Sequence, residues 1–279
     1  MDELTAERIA ALRALSIDAI SYIGTQLERN PHRNFIGDEL APDLLARMNK
    51  CVAGDREGLS AFESAQLQEL AFWRWVAFVG YNGEDPRVFP YRQRLFMTET
   101  FWRTGWELAS LKDSKALEVG CGPLGMIEVL PCRSGVAMDP LNDHYSTLFS
   151  KVRSKNVRYE TGFDRIPDRD FDFMVCHNVI DHTDDPALLF NGGFDRLLPG
   201  GRFLFQVNLS RTDTPRTDEH KSMHPSPIVR EQVTAWLSQK SKDFATYVVD
   251  KPSTDGEFYF LAWGTKRADD TPVAYDKRA

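Results

Sequence analysis

An open, mostly parallel α/β sheet preceded by a helical region is the fold class that the 279-residue sequence predicts. Three observations predict it. Before residue 113, apolar residues recur at helical spacing. After it, short apolar runs alternate with amphipathic stretches, as in a parallel sheet covered by helices. The last two apolar runs lie too close for a crossover helix, so they are antiparallel neighbours.

The elements follow in order. Ile9, Leu12, Leu15, Ile20, Ile23 and Leu27 mark an amphipathic helix over residues 4–27, ended by Asn30-Pro31. A short helix over 42–52 is stopped by Gly54, and a third runs over 60–81 to the Asn82-Gly83 turn. Pro86 and Pro90 break the chain, and a fourth helix runs over 91–111. Strands are expected over 115–119, 135–139, 157–160, 172–177, 202–208, 244–249 and 257–263. Helices are expected over 124–130, 141–152, 186–198 and 227–241, and a polar, flexible tail over 267–279.

Composition excludes several classes of function. The net charge of −7 is poorly suited to nonspecific capture of nucleic acid or of an anionic membrane. No apolar run approaches the roughly 18 residues of a membrane span, because Arg74 interrupts the richest stretch. The acidic N-terminus lacks the plan of a signal peptide. The four cysteines form no C-x-x-C pair, which argues against a disulfide scaffold or a cysteine-rich zinc site. The expected location is cytoplasmic, with no nucleic-acid or membrane partner.

Chemistry concentrates at Glu118-Val119-Gly120-Cys121-Gly122-Pro123-Leu124-Gly125. A strand ends, the chain turns on glycines that admit positive φ and close ligand approach, and a helix is expected to begin. Asp139, at the end of the second strand, is placed to accept hydrogen bonds from ribose hydroxyls. Gly120-x-Gly122-x-x-Gly125 also fits the dinucleotide fingerprint, a weak match alone. Two further stretches decide between the readings. The fourth strand runs into Cys176-His177-Asn178-Val179-Ile180-Asp181-His182, and the fifth is preceded by Leu197-Leu198-Pro199-Gly200-Gly201.

Together, over residues 113–264, these motifs resemble the class I S-adenosylmethionine-dependent methyltransferases. The resemblance implies a Rossmann-like seven-stranded sheet with the last strand antiparallel. It implies a core over 113–266, with residues 1–112 as an N-terminal helical lid that sets substrate choice. The implied cofactor is S-adenosyl-L-methionine. Gly120, Cys121 and Gly122 would lie against its methionine and ribose parts, and Glu118 would hold the loop or reach the amino group through water. Asp139, with Pro140 beside it, would bind the ribose diol. Phe163 and Asp164 would flank the adenine, and Asn178 and Val179 would line the floor. Phe163 stands where the family usually has an acid, which leaves Asp164 as the partner of the adenine amino group. Gly192-Gly193, inside an expected helix, costs about 2 kcal/mol against two alanines.

A sulfonium already activates its methyl group, so the protein must align the acceptor, exclude water and leave the acceptor a free lone pair. For a hydroxyl acceptor a general base helps. His182, His224 and His220 lie in segments this fold brings toward the pocket, and they are the catalytic candidates. No metal is expected, since N-capping before Pro186 accounts for Asp184 or Asp185. Aromatic residues and arginines crowd residues 72–106. Most pack on the sheet, but Trp73, Tyr91, Arg94 and Trp102 are candidate acceptor contacts. The expected function is methylation of a small polar acceptor, with a sugar-like hydroxyl slightly preferred. An amine acceptor, aminopropyl transfer or cyclisation of the cofactor, and a silent binding module are the alternatives. The aromatic helices could also serve a homodimer.

Overall fold

The computed structural model describes residues 37–80, 88–210, 221, 224–241, 243–249 and 258–268. The helix expected over 4–27 and the Asn82-Gly83 turn lie outside these. Three helices come first: α1 (Pro42–Val52), α2 (Ala61–Phe78) and α3 (Phe89–Trp102). A capping box starts α2: Ser60 Oγ accepts from the Glu63 amide at 3.1 Å, and Glu63 accepts from the Ser60 amide at 2.8 Å. Pro90 does not break the chain. It sits in the first turn of α3, where its missing N–H has no intrahelical partner to lose. That helix ends earlier than expected, at Trp102, and a 3₁₀ turn at Leu108–Leu111 leads into the sheet.

The strands are β1 (Lys115–Val119), β2 (Ser134–Met138), β3 (Val157–Glu160), β4 (Phe171–His177), β5 (Leu197–Leu209), β6 (Phe244–Val248) and β7 (Phe258–Thr265). They form one sheet of order β3-β2-β1-β4-β5-β7-β6. Neighbours among β1 to β5 are parallel, while β7 is antiparallel to both β5 and β6. Both faces of the central strands are covered, which is why those strands read as continuous apolar runs. Leu117, Val119, Met174, Cys176, Phe203 and Phe205 face one core; Ala116, Phe173, Val175 and Leu204 face the other.

Helices α4 (Asn142–Leu148), α5 (Pro186–Phe194) and α6 (Arg230–Lys240) complete the described elements. Asp185 caps α5 by accepting from the Leu188 amide at 2.8 Å. The two glycines of α5 have separate reasons. A Cβ on Gly192 would lie 2.3 Å from the Phe163 ring, and one on Gly193 would lie 2.8 Å from Met174 Sδ and 3.1 Å from Val119 Cγ2. The helix expected over 124–130 does not form; between Pro123 and Pro131 there is only a 3₁₀ turn, Met126–Glu128. Arg267, assigned above to the tail, is anchored: its amide donates to Lys240 O at 2.8 Å and its guanidinium to Ser238 O at 2.9 Å.

The N-terminal helices bury their own cluster against the core. Met48, Leu67, Leu70, Val76 and Phe89 pack with Leu141, Tyr145, Leu148 and Phe149 of the α4 region. Full burial of a side chain such as Phe89 is worth about 1.5–3 kcal/mol. This packing sets α2 and α3 beside the C-terminal ends of β1 and β4. The sheet order reverses between those two strands, the place where open α/β sheets bind ligands. No described helix is long and apolar enough to cross a membrane.

Candidate active site

A cavity of about 910 Å³ opens at this switch point. That lies at the upper end of the range for small-molecule sites and leaves room for two ligands side by side. Its floor comes from the ends of β1, β2 and β4, and its roof from α2 and α3.

The glycine loop forms one wall. Gly120 and Gly122 adopt φ of 70° and 56°. The amides of Gly120 and Cys121 both donate to Met138 O, at 2.7 and 3.1 Å. A Cβ on Gly120 would fall 2.0 Å from Val179 Cγ2, so only glycine lets the loop after β4 lie over it. A Cβ on Gly122 would meet nothing within 4 Å, which leaves its backbone open to a ligand. Behind the loop, buried Arg153 donates to Pro123 O at 2.8 Å, Gly122 O at 2.9 Å and Asn142 Oδ1 at 2.6 Å. No short motif marks Arg153; its only signal is its place just after an amphipathic stretch.

Glu118 does not reach the cavity. Its two carboxylate oxygens accept from the amides of Met126 and Ile127, each at 2.8 Å. Burial pushes its pKa up to about 8, against those two hydrogen bonds. A Cβ on Gly125 would lie 2.3 Å from Glu118 Oε2, so the third glycine serves this contact. The two amides that a helix N-terminus would offer to a pyrophosphate are thus already taken, and no α-helix follows. The dinucleotide reading fails on both counts.

Asp139 is buried at the cavity floor. Oδ2 accepts from the Gly122 amide and Oδ1 from the Leu141 amide, both at 2.9 Å. Burial, and then the charge of Glu69, push its pKa up to about 7. Each oxygen keeps a lone pair for a hydroxyl donor. Asn178 follows β4 with a φ of 52°, a left-handed conformation asparagine tolerates better than most residues. Its amide donates to Gln206 O at 3.0 Å, while its buried Oδ1 has no partner. An open glycine backbone, an acceptor pair at Asp139 and an orphaned acceptor at Asn178 fit a ligand with a ribose and an ammonium group. S-adenosylmethionine is such a ligand.

The opposite wall was not legible in the motifs. Helix α2 carries Gln66, Glu69 and Trp73 on one face. Glu69 accepts from Trp73 Nε1 and from Tyr145 OH, each at 3.3 Å, and its Oε2 stands 3.5 Å from His182 Nδ1. Burial raises Glu69, but the bond and charge of His182 outweigh it and leave its pKa lowered. On its other side His182 Nε2 lies 4.0 Å from Asp181 Oδ1. Burial lowers His182, but Asp181 and Glu69 outweigh it and raise its pKa to about 9. That environment favours the charged ring, which suits His182 to holding Glu69 and Asp181.

His224 stands beside it, with ring centroids 4.2 Å apart. Its Nδ1 is 2.7 Å from Asp181 Oδ2. Burial raises Asp181, but the His182 charge and the His224 bond outweigh it and keep its carboxyl below the usual range. Ligand-type atoms of Asp181, His182 and His224 lie within 4.8 Å of one another, a grouping the sequence reading did not foresee. The turn that holds His224 is pinned by Ser226, whose amide donates to Asp181 O at 3.2 Å and whose hydroxyl donates to Thr183 O at 2.6 Å.

Of the residues expected at the cofactor, Gly120, Cys121, Gly122, Asp139, Pro140, Asn178 and Val179 line the cavity. Burial holds the Cys121 thiol well above its ordinary pKa, so it is no nucleophile. Phe163 and Asp164 are not in the lining. The Phe163 ring packs over Gly192, and the Arg196 guanidinium lies 4.4 Å from its centroid. Of the acceptor candidates, Trp73 lines the cavity, but Arg94 and Trp102 do not. The face of α3 toward the cavity carries Arg92, Phe96 and Glu99. Arg94 points away, donating to Val152 O at 2.7 Å, and Trp102 joins the core under β4 and β5. The Tyr91 side chain and His220 lie outside the described residues.

Comparison with known proteins gives the family. A model described as a methyltransferase domain matches residues 103–242, half of the chain. The ubiquinone biosynthesis O-methyltransferase of Pseudomonas putida is 28% identical over 116 residues, covering 38% of this chain and 50% of that protein. The match thus spans half the length of that relative. The N-methyltransferase NodS of Bradyrhizobium japonicum, solved with S-adenosyl-L-homocysteine, superposes with a TM-score of 0.50 at 19% identity, covering 74% of this chain and 98% of that one. Phosphoethanolamine N-methyltransferase 2 of Haemonchus contortus, solved with S-adenosyl-L-methionine, gives a TM-score of 0.52 at 15% identity, covering 76% and 61%. At those identities the two structures speak for the fold alone. With the family model over half the chain and a sheet of this order closing on a glycine-lined cavity, the protein belongs to the methyltransferase-domain family as a class I S-adenosylmethionine-dependent methyltransferase.

Proposed function

We propose that this methyltransferase acts on a hydroxyl of a small molecule, with His224 as general base and Asp181 as the group that orients it. The observation that carries the reading is the 2.7 Å contact between His224 Nδ1 and the buried Asp181 carboxylate, in the wall of the cavity. A carboxylate on Nδ1 holds the imidazole in the tautomer whose Nε2 can accept a proton. His182, already charged, takes no proton and serves to hold the turn.

S-adenosylmethionine, when bound, supplies an activated methyl group. Gly120 and Gly122 give its methionine and ribose parts a close backbone surface, Asp139 accepts from the ribose diol, and Asn178 Oδ1 accepts from the amino group. Helices α2 and α3, within the lid region 1–112, keep water from the acceptor. A hydroxyl has a pKa far above 7, so its proton must pass to a neighbour as the oxygen attacks, and His224 is that neighbour.

A second reading, an amine acceptor, is favoured by the acids Glu69 and Glu99 on the lid side of the cavity. Kinetics separate the two. Release of S-adenosylhomocysteine from a panel of hydroxyl and amine metabolites identifies the acceptor. On a hydroxyl acceptor, His224→Ala should lose about 10²–10⁴-fold in kcat with cofactor affinity kept. Near-full turnover in that variant excludes the base and leaves the amine.

A further inference from the structure

Two polar groups in the cavity wall have no role in the account above. His177 ends β4 and is 6% exposed, yet its Nε2 has no hydrogen-bond partner. Burial pushes its pKa down to about 4, so the ring is neutral under ordinary conditions. A neutral imidazole has one donor and one acceptor nitrogen, so the unpartnered Nε2 is open to a hydrogen bond with a ligand hydroxyl, which can serve in either direction. Gln66 Oε1, on α2, is also buried and unpartnered. Both residues line the cavity. Unpaired buried polar atoms are costly, and a ligand that hydrogen-bonds to them recovers the cost.

Beside them Phe96 and Trp73 offer aromatic surface, with Arg92 and Glu99 further along the same face of α3. Phe96 stands edge-on to the His177 ring with centroids 5.4 Å apart, and it is 43% exposed. Trp73 continues the roof, packed edge-to-face on Phe72 at 5.0 Å. We propose that His177, Gln66 and Phe96 form the acceptor subsite, and that it takes a flat hydroxylated aromatic ring laid against Phe96 with a hydroxyl on His177 Nε2. The proposal rests on the methyl-transfer reading and narrows its acceptor. A sugar carries a hydroxyl on nearly every ring carbon, and each needs a partner once desolvated. A surface of ring faces with two orphaned polar atoms suits an aromatic ring with few hydroxyls.

Calorimetry on the full chain loaded with S-adenosylhomocysteine tests this, with catechol and methyl α-D-glucoside as probes. Catechol should bind and the glucoside should not. Phe96→Ala and His177→Phe should each weaken catechol about tenfold while S-adenosylhomocysteine affinity is unchanged. Glucoside binding without catechol binding, binding of neither probe, or unchanged catechol affinity in both variants overturns the subsite. Phe96 is exposed, so its variant keeps the test valid if His177→Phe fails to fold. Because binding is read without turnover, failure of the His224 chemistry leaves these heats unchanged. Failure of the subsite likewise leaves the His224 kinetics unchanged.

Discussion

Glu69→Gln should uncouple the lid helix from the turn after β4 in a way that depends on pH. The substitution keeps the side chain's shape and an acceptor for Trp73 and Tyr145, and removes the charge beside His182. In the fold His182 rises from 6.5 to about 9, its burial outweighed by Asp181 and Glu69. At 1.36 kcal/mol per pH unit, that displacement is worth about 3 kcal/mol of folding free energy. Two carboxylates share it, so losing one should cost about 1–2 kcal/mol. The folded value lies above the unfolded one. The contribution is therefore complete below pH 6.5, declines as pH rises through about 9, and is gone above it. Urea unfolding of both proteins should show a deficit for the variant near pH ~6 that has disappeared or reversed near pH ~10. Glu118 also titrates in this range but is common to both proteins and cancels in the difference, whereas Asp139, held up in part by the Glu69 charge, is relieved in the variant, which further reduces the deficit at high pH. The same deficit at both pH values would mean that Glu69 acts only through its hydrogen bonds to Trp73 and Tyr145.

Four further outcomes follow from the geometry. Asp139→Ala should weaken S-adenosylhomocysteine by about 1.5–3 kcal/mol in calorimetry, since it removes a charged acceptor and frees the Gly122 and Leu141 amides. Because the Asp139 carboxyl is pushed up to about 7 and its ionised form accepts best, cofactor affinity in the native protein should rise as pH passes through that value, and a flat profile would sink the assignment. Gly192→Ala should lower the Tm, because displacing the Phe163 ring costs about 1–3 kcal/mol and outweighs the ~1 kcal/mol gain in helix propensity; a raised Tm would contradict the packing. Dialysis against EDTA should leave turnover unchanged, since Asp181 Oδ2 is engaged by His224, and restoration of lost activity by a divalent cation would overturn that reading of the cluster.

The sheet was legible because its signals are local. Each parallel strand buried on both faces is a short apolar run, and the glycine motifs mark the turns between them. The helix over 124–130 was misread because a glycine loop before apolar residues is the usual start of a helix. Here the Glu118 carboxylate collects the Met126 and Ile127 amides, and Pro123 and Pro131 confine the segment to one turn. The glycine side of the cavity was also legible, since each residue there is fixed by a backbone requirement. The lid side was not. Glu69 and Gln66 look like ordinary polar residues of an amphipathic helix. What distinguishes them is tertiary: which face of α2 meets the cavity, and that His182 waits 3.5 Å from Glu69. Arg94 was chosen for charge alone, and the helix turns it away from the cavity that Arg92 and Phe96 face.

Consecutive residues Asp181 and His182 serve different partners because of the turn that carries them. Ile180–His182 is a single 3₁₀ turn, in which successive side chains diverge by about 120°. Asp181, 2% exposed, points toward the loop after β5 and holds His224; His182 points toward α2 and meets Glu69. One three-residue turn thus ties together two segments far apart in sequence, helix α2 and the segment that carries His224. An α-helical continuation there would bring the pair to about 100° and shorten the rise from about 2.0 to about 1.5 Å per residue, losing one partner or the other. The chain prevents it: Thr183 is extended, and Asp185-Pro186 starts a new, separately capped helix. The short turn between β4 and α5 is accordingly the element through which movement of the lid would reach His224.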